Sequence, residues 1–192
     1  MNEAKTSAVW PPFAPRSLYS STYPLDDFYA VRRLSLPVMD RLEPDQLPEP
    51  YRWLLVHDRD MTSRLEAFHK SKIHIRALAR NHRGHAYFRE VVLELDGSRR
   101  LVEFGASKVN LQFFPGEAQA EIRREERPLG GILHDFNIAF SSRPGAFFRV
   151  TADSFIAGAL GLPGAPLLFG RRNTLLDSRR RAMAEIVEVL PP

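Results

Sequence analysis

Arg89 is the first residue in this sequence that demands a chemical explanation. It lies in the run Tyr87-Phe88-Arg89-Glu90-Val91-Val92-Leu93-Glu94-Leu95, whose apolar content predicts a strand. Strand alternation puts Arg89, Val91, Leu93 and Leu95 on one face, and Phe88, Glu90, Val92 and Glu94 on the other. A guanidinium on an otherwise apolar face is costly unless a carboxylate pairs with it. Either Arg89 sits near a sheet edge and snorkels to water, or it is an anion clamp whose planar fork takes a ligand carboxylate. The segment Ala182 to Leu190 presents the mirror problem. Ala184, Ile186, Glu188 and Leu190 share one face, and Met183, Glu185, Val187 and Val189 share the other, so each glutamate stands on an apolar face. If both faces are covered, at least one carboxyl is desolvated and its pKa rises, which suits a general acid or base. If one face is open, or an arginine pairs across the sheet, the glutamates are structural.

Other residue patterns narrow the field. Gly170-Arg171-Arg172 either grips an anion or begins a basic strand. The six histidines show no metal-ligand spacing, and His82 and His85 flank Arg83-Gly84 in an expected loop. There is no cysteine, which excludes disulfides, zinc thiolate sites and cysteine nucleophiles. Gly158, Gly161 and Gly164 do not make a dinucleotide fingerprint, and neither a phosphate-binding P-loop nor a Gly-x-Ser-x-Gly elbow is present. A nucleotide enzyme and a serine hydrolase are thereby disfavoured, and no metal or organic cofactor is expected. Lys and Arg number 27 against 23 Asp and Glu, a net charge of +4. Arginines interleave with acids, as in Arg123-Arg124-Glu125-Glu126-Arg127, which reads as a solvated helix face rather than a nucleic-acid footprint. An arginine surplus also suits a small anionic ligand.

The elements that must position these residues are legible in outline. The 192 residues suffice for one domain with a sizeable core. Residues 1–37 carry Pro11, Pro12, Pro15, Pro24 and Pro37 with many serines and read as an irregular arm, whose aromatics Trp10, Phe13, Tyr19, Tyr23, Phe28 and Tyr29 suggest that it packs on something. Residues 38–192 form the domain proper. Helices are expected over Tyr51 to His57, from Asp60 onward with Ser63 and Glu66 in capping-box spacing, over Glu117 to Arg127, and from Asp153 to Leu160. Pro128-Leu129-Gly130-Gly131 should end the third of these. Strands are expected over Ile73 to Arg80, Tyr87 to Leu95, Leu101 to Val109, Phe147 to Thr151, Phe169 to Leu176 and Ala182 to Leu190, with a hairpin at Asp96-Gly97 and another around Asp177-Ser178. Hairpin-linked strands with intervening helices mean an antiparallel α+β domain, not a doubly wound parallel sheet.

The chain resembles the chorismate pyruvate-lyases, which release pyruvate from chorismate to give 4-hydroxybenzoate. The stretches that carry the resemblance are Leu54-Leu55-Val56-His57-Asp58-Arg59-Asp60-Met61-Thr62, Phe88-Arg89-Glu90-Val91-Val92-Leu93, Pro128-Leu129-Gly130, Phe169-Gly170-Arg171-Arg172 and Glu188-Val189-Leu190-Pro191. They occur in order from about residue 38; the first 37 residues lie outside it. The resemblance implies a six-stranded antiparallel sheet with helical flaps over an enclosed site, no cofactor, chorismate as substrate and 4-hydroxybenzoate as product. Arg89 would bind the ring carboxylate, Glu188 would face the opposite end of the ring, Met61 and Leu129 would line the flaps and offer backbone groups, and Gly105 would match a glycine of the third strand. Two departures stand out. An arginine that follows this glycine in the family is Ala106 here, with Lys108 as a candidate replacement, and the closing strand is offset by one residue, which leaves Glu185 as the alternative acid.

A second reading is a binding module. Effector-binding domains of bacterial transcription regulators share this fold, and they sense a ligand without converting it. A helix-turn-helix domain should then precede the fold, and residues 1–37 are too short and proline-rich for one, so no nucleic-acid partner is expected. No stretch approaches the ~20 apolar residues of a membrane span, and Ala8-Val9-Trp10 runs into two prolines rather than a signal-peptide core. The expected location is the cytoplasm, as monomer or dimer.

Overall fold

The computed structural model describes residues 20–192. A seven-stranded, wholly antiparallel sheet forms its centre, in the spatial order β1-β5-β6-β7-β4-β3-β2. The strands are β1 (Val38–Leu42), β2 (Ile73–Arg83), β3 (Ala86–Leu95), β4 (Leu101–Asn110), β5 (Ser141–Thr151), β6 (Leu167–Leu176) and β7 (Ala182–Leu190). Among the described residues six α-helices accompany them: α1 (Leu25–Arg32), α2 (Tyr51–Leu55), α3 (Met61–His69), α4 (Gly116–Arg124), α5 (Leu129–Asp135) and α6 (Ser154–Ala159). The α+β class and the antiparallel sheet are as expected; the seventh strand is β1, a short edge strand paired to β5 from Val38↔Thr151 to Leu42↔Phe147.

Both faces of the sheet are covered. On one face, α1 and α6 pack over Phe88, Val92, Phe104, Ala106, Phe148, Val187 and Val189. On the other, α2 and α3 cover Val91, Leu93 and Leu95, and α4 and α5 cover Tyr87, Val109, Leu175 and Ala184. We call the face under α2, α3, α4 and α5 the near face and the one under α1 and α6 the far face.

Helix α1 lies within the stretch read as an irregular arm. Asp26 and Asp27 occupy its first turn, where negative charge meets the positive end of the helix, and Leu25, Phe28 and Tyr29 are buried against the sheet, beside Tyr23. Trp10, Phe13 and Tyr19 lie outside the described residues.

Helix α4 ends three residues earlier than the charge pattern suggests. Glu125 takes a left-handed backbone conformation, φ 59°. Its carboxylate is the reason an acid stands there: it accepts from the Tyr87 hydroxyl at 2.5 Å and from Arg80 Nη1 at 2.8 Å. Pro128-Leu129-Gly130-Gly131 then starts α5 rather than merely stopping α4, with Pro128 preceding its first turn. Gly130 permits this, because a Cβ there would lie 2.2 Å from Asp60 Oδ1. Asp60 itself caps α3, accepting from the Ser63 amide at 2.8 Å. Glu66 does not close a capping box with Ser63; it accepts from the Ile73 amide at 3.2 Å and so ties α3 to β2. Among the described residues no helix is long and apolar enough to cross a membrane.

Candidate ligand-binding site

A chamber lies on the near face, between the sheet and the first turns of α3 and α5. It offers about 60 Å³ to the centres of water-sized molecules, several times the ~10–15 Å³ that one water needs. Its floor is built row by row from strand register. Arg89 of β3 pairs with Ser107 of β4, which pairs with Ile186 of β7 and through it Asn173 of β6; two residues along, Val91 pairs with Gly105, Gly105 with Glu188, and Glu188 with Arg171. Ile75, Val91, Leu93, Leu129, Leu175 and Ile186 give it apolar walls. Gly105 deepens the floor, since a Cβ there would meet Glu103 Oε1 at 3.0 Å and Val91 Cγ2 at 3.4 Å.

Arg89 is 3% exposed, and its Nε and Nη1 have no hydrogen-bond partner. No ion pair is formed with it among the described residues. Burial pushes its pKa down, with Tyr87 and the Glu125 carboxylate pulling the other way, but a guanidinium in a protein keeps its charge. The sheet thus holds a buried cation in the wall of a cavity, with two nitrogens unpartnered. That is the arrangement a carboxylate completes.

The opposite end of the chamber is acidic. Glu188 is buried and accepts from Arg171 Nε at 2.5 Å. Arg171 is fully buried and does not line the chamber; its Nη1 donates to the carbonyls of Leu55 at 2.9 Å and His57 at 3.2 Å, so it orients Glu188 while tying the end of α2 to the sheet. Burial and the adjacent Arg171 push the His57 imidazole down to about 4, leaving it neutral. Glu103, two residues before Gly105, is also buried, and its Oε2 has no partner. Burial first, and the Glu188 carboxylate second, push its carboxyl well above the usual range, against the pull of Arg171.

The flaps meet above the chamber. Asp60 Oδ2 bonds His134 Nε2 of α5 at 2.9 Å, and Ser63 Oγ lies 3.2 Å from the same nitrogen. Asp60, Met61 and Thr62 line the chamber from α3, and Pro128, Leu129 and Gly130 from α5. A surface cleft shares Thr62 and Pro128 with the chamber and runs outward past Ser63, Gly131 and His134. Among the described residues no group of three or more histidines and acids is placed to hold a metal ion.

Of the residues singled out from the sequence, Arg89, Glu188, Met61, Gly105 and Leu129 come together here. Lys108 and Glu185 do not: they point to the far face, where Lys108 Nζ bonds Glu185 at 3.0 Å and Arg172 Nη2 bonds it at 2.9 Å. Alternation explains this, because both positions are out of phase with Gly105 and Glu188. Glu103, Ser107, Asn173 and Asp60 were not singled out. The test that flagged Arg89, a charge on an apolar strand face, would have found Glu103 as well.

No protein-family model matches the chain, and no curated protein is detectably similar to it. The fold does recur among solved structures. PhnF from Mycobacterium smegmatis aligns with a TM-score of 0.55 at 17% identity, over 71% of this chain. The chain spans 65% of the length of that PhnF structure. The effector domain of PhnF alone gives 0.54 at 18% identity, over 69% of this chain and 88% of the domain. YydK from Bacillus subtilis, described as a possible transcriptional regulator, gives 0.50 at 8% identity, over 62% of this chain and 58% of that one. At these identities the likeness is one of fold. The expectation of a chorismate pyruvate-lyase is corrected here: these matches are to PhnF, to its effector domain and to a possible transcriptional regulator, and none is described as an enzyme. The site agrees with the correction, because Ala106 is buried on the far face and Lys108 is engaged there, so neither position adds a cation to the chamber. Chorismate and 4-hydroxybenzoate as substrate and product fall with that expectation. So does the expected absence of a nucleic-acid partner, since a chain described as a possible transcriptional regulator shares this fold.

Proposed function

We propose that this domain binds a small, flat organic carboxylate and does not convert it. The observation that carries this reading is Arg89, a buried guanidinium with unpartnered nitrogens facing an apolar cavity. Its desolvation is costly without an anion, and a ligand carboxylate relieves that penalty through charge-assisted hydrogen bonds. Met61 and Leu129 close the chamber from above. Gly105 leaves room for the body of the ligand. Glu188, oriented by Arg171, meets its other end.

An effector domain such as that of PhnF supplies the frame: a small molecule is held and its presence is passed to a partner, which in a regulator of this kind contacts DNA. The cytoplasm is the proposed location. Residues 38–192 are the proposed ligand-binding domain, and residues 1–37 its N-terminal arm, of which α1 docks on the far face.

Calorimetric titration with benzoate tests the reading. Wild-type protein should bind it, and Arg89→Met should weaken binding at least tenfold, since a buried charged hydrogen bond contributes ~1.5–3 kcal/mol. Arg100→Ala, in the exposed β3–β4 turn, should change affinity little, because exposed charges contribute ~0–1 kcal/mol. Equal losses in the two variants would remove Arg89 from the site. Chorismate incubated with the protein should stay intact; release of pyruvate would overturn the non-catalytic reading.

A further inference from the structure

The two ends of the chamber carry opposite and unequal charge. At one end stands Arg89 with no anion. At the other, two carboxyl groups, Glu103 and Glu188, share one arginine, Arg171. Arg171 keeps one buried donor, Nη2, without a partner, and the remaining ionisable groups around that end are accounted for. His57, behind Arg171, is neutral. Asp60, in the first turn of α3, is engaged by the Ser63 amide and His134. Strand β3 presents only Val91 and Leu93 on the chamber face beyond Arg89. Glu103 is therefore the acid in excess, and its buried Oε2 is the acceptor left without a donor.

We propose that the ligand is a zwitterion, an organic acid whose carboxylate sits on Arg89 and whose other end is a protonated amine held between Glu103 and Glu188. The proposal rests on the organic-acid reading of the chamber and adds the chemistry of its second end. Register sets the span. Arg89 and Glu188 lie two strand spacings and two residues apart, which places their Cα atoms roughly 12 Å from one another. The reach of the two side chains leaves a gap suited to a small ring between the charged groups. Neutrality follows: two arginines and two glutamates meet one carboxylate and one ammonium.

In the empty chamber burial and the neighbouring Glu188 both favour the protonated form of Glu103. An ammonium reverses that balance. On binding, the Glu103 O–H bond breaks, the carboxylate accepts from the ligand N–H, and the proton leaves to buffer. A ligand that brings a second carboxylate to this end meets Glu188 instead and is repelled.

Three probes separate the possibilities: 4-(aminomethyl)benzoate, benzoate and terephthalate, titrated calorimetrically at neutral pH in two buffers of different ionisation enthalpy. The zwitterion should bind at least about tenfold tighter than benzoate, as expected for a charge-assisted bond in a buried site. It should release up to about one proton per molecule bound, while benzoate releases none and terephthalate binds more weakly than either. Glu103→Gln keeps the shape of the wall; it should abolish the proton release and bring the two monocarboxylates to within a few-fold of each other. If wild-type protein binds benzoate and 4-(aminomethyl)benzoate alike with no proton released, the zwitterion proposal is overturned and the organic-acid reading stands. If none of the three binds, both fall. The paired-buffer result on wild-type protein decides the question even where the variant is unstable.

Discussion

Arg89 and Glu90 are neighbours in β3 whose side chains leave the sheet on opposite faces, and each is a buried charge. Glu90 meets Arg32 of α1 at 2.5 Å. Burial nevertheless pushes its carboxyl up to about 7, with Arg32 opposing the shift. The folded value lies above the unfolded 4.5, so the associated stability is complete below about pH 4.5 and is lost as pH rises to about 7. Glu90→Gln should therefore flatten the decline in urea-determined stability between mildly acidic and neutral pH, by on the order of 3 kcal/mol at most. A decline as steep as wild type would show that the pair with Arg32 outweighs burial. His57 acts in the other sense: with its value depressed from 6.5 to about 4, stability is lost as pH falls through that window. Arg89 has no ion-pair partner to lose, so Arg89→Met should raise the melting temperature of the empty protein while it removes binding, because the desolvation of a buried, unpaired charge costs several kcal/mol. At this scale much of the site was legible: strand alternation alone isolates Arg89 and Glu188 as charges on apolar faces and puts Glu185 on the other side. What it does not show is which face is a cavity and which is packed solid; Lys108 entered as a replacement for the arginine that the family has where Ala106 stands here, and both positions are on the far face.

Helices α3 and α5 form the cover of the chamber, and Asp60 joins them. One carboxylate oxygen caps α3, and the other bonds His134 of α5. His134 is 55% exposed at its side chain and Asp60 6%, so the joint sits at the surface of the lid. Asp60→Ala should lower stability by about 1 kcal/mol through the lost cap. It should also speed amide exchange in residues 61–69 and 129–135 without moving the central strands, and shorten the residence time of a bound acid. Unchanged exchange in α5 would mean that Asp60 acts on α3 alone. Strands, hairpins and the Asp153 cap of α6, which accepts from the Ile156 amide at 2.9 Å, were readable because their signals are local. α5 was not: Pro-Leu-Gly-Gly reads locally as a stop, and only the close approach of Asp60 to Gly130 explains a helix there. Helix α1 was hidden for a related reason, since its two acids and flanking prolines outweigh an apolar face that only the sheet completes.

The sheet is made of two three-stranded meanders, β2-β3-β4 and β5-β6-β7, joined where β4 pairs with β7. The chamber straddles that seam: Arg89, Glu103 and Gly105 come from one meander, and Ile186 and Glu188 from the other. Inside the second meander Gly170 has no freedom to grow, because a Cβ would lie 2.4 Å from the Glu188 carbonyl oxygen. Gly170→Ala should push β6 from β7, cost about 1–3 kcal/mol by overpacking, and weaken ligand binding by displacing Glu188; normal affinity with normal stability would show that the strands can part without consequence. The pairings β4 with β7 and β1 with β5 join segments far apart in sequence, and no local pattern announces them.

The outer position of β1 has a consequence for the chain as it is made. The chain up to Asn110 supplies both the strand that flanks β5 and the strand that flanks β7, so the second meander fills a slot between them. Until it emerges from the ribosome, β1 has no partner and β4 has one bare side, the kind of open edge that invites pairing with other chains. The half-chamber present at that stage holds Arg89 but not Glu188. A small molecule cannot rescue such a chain, because Glu188, which with Glu103 would grip its far end, has yet to be synthesised; it can protect the protein only after β7 has been added.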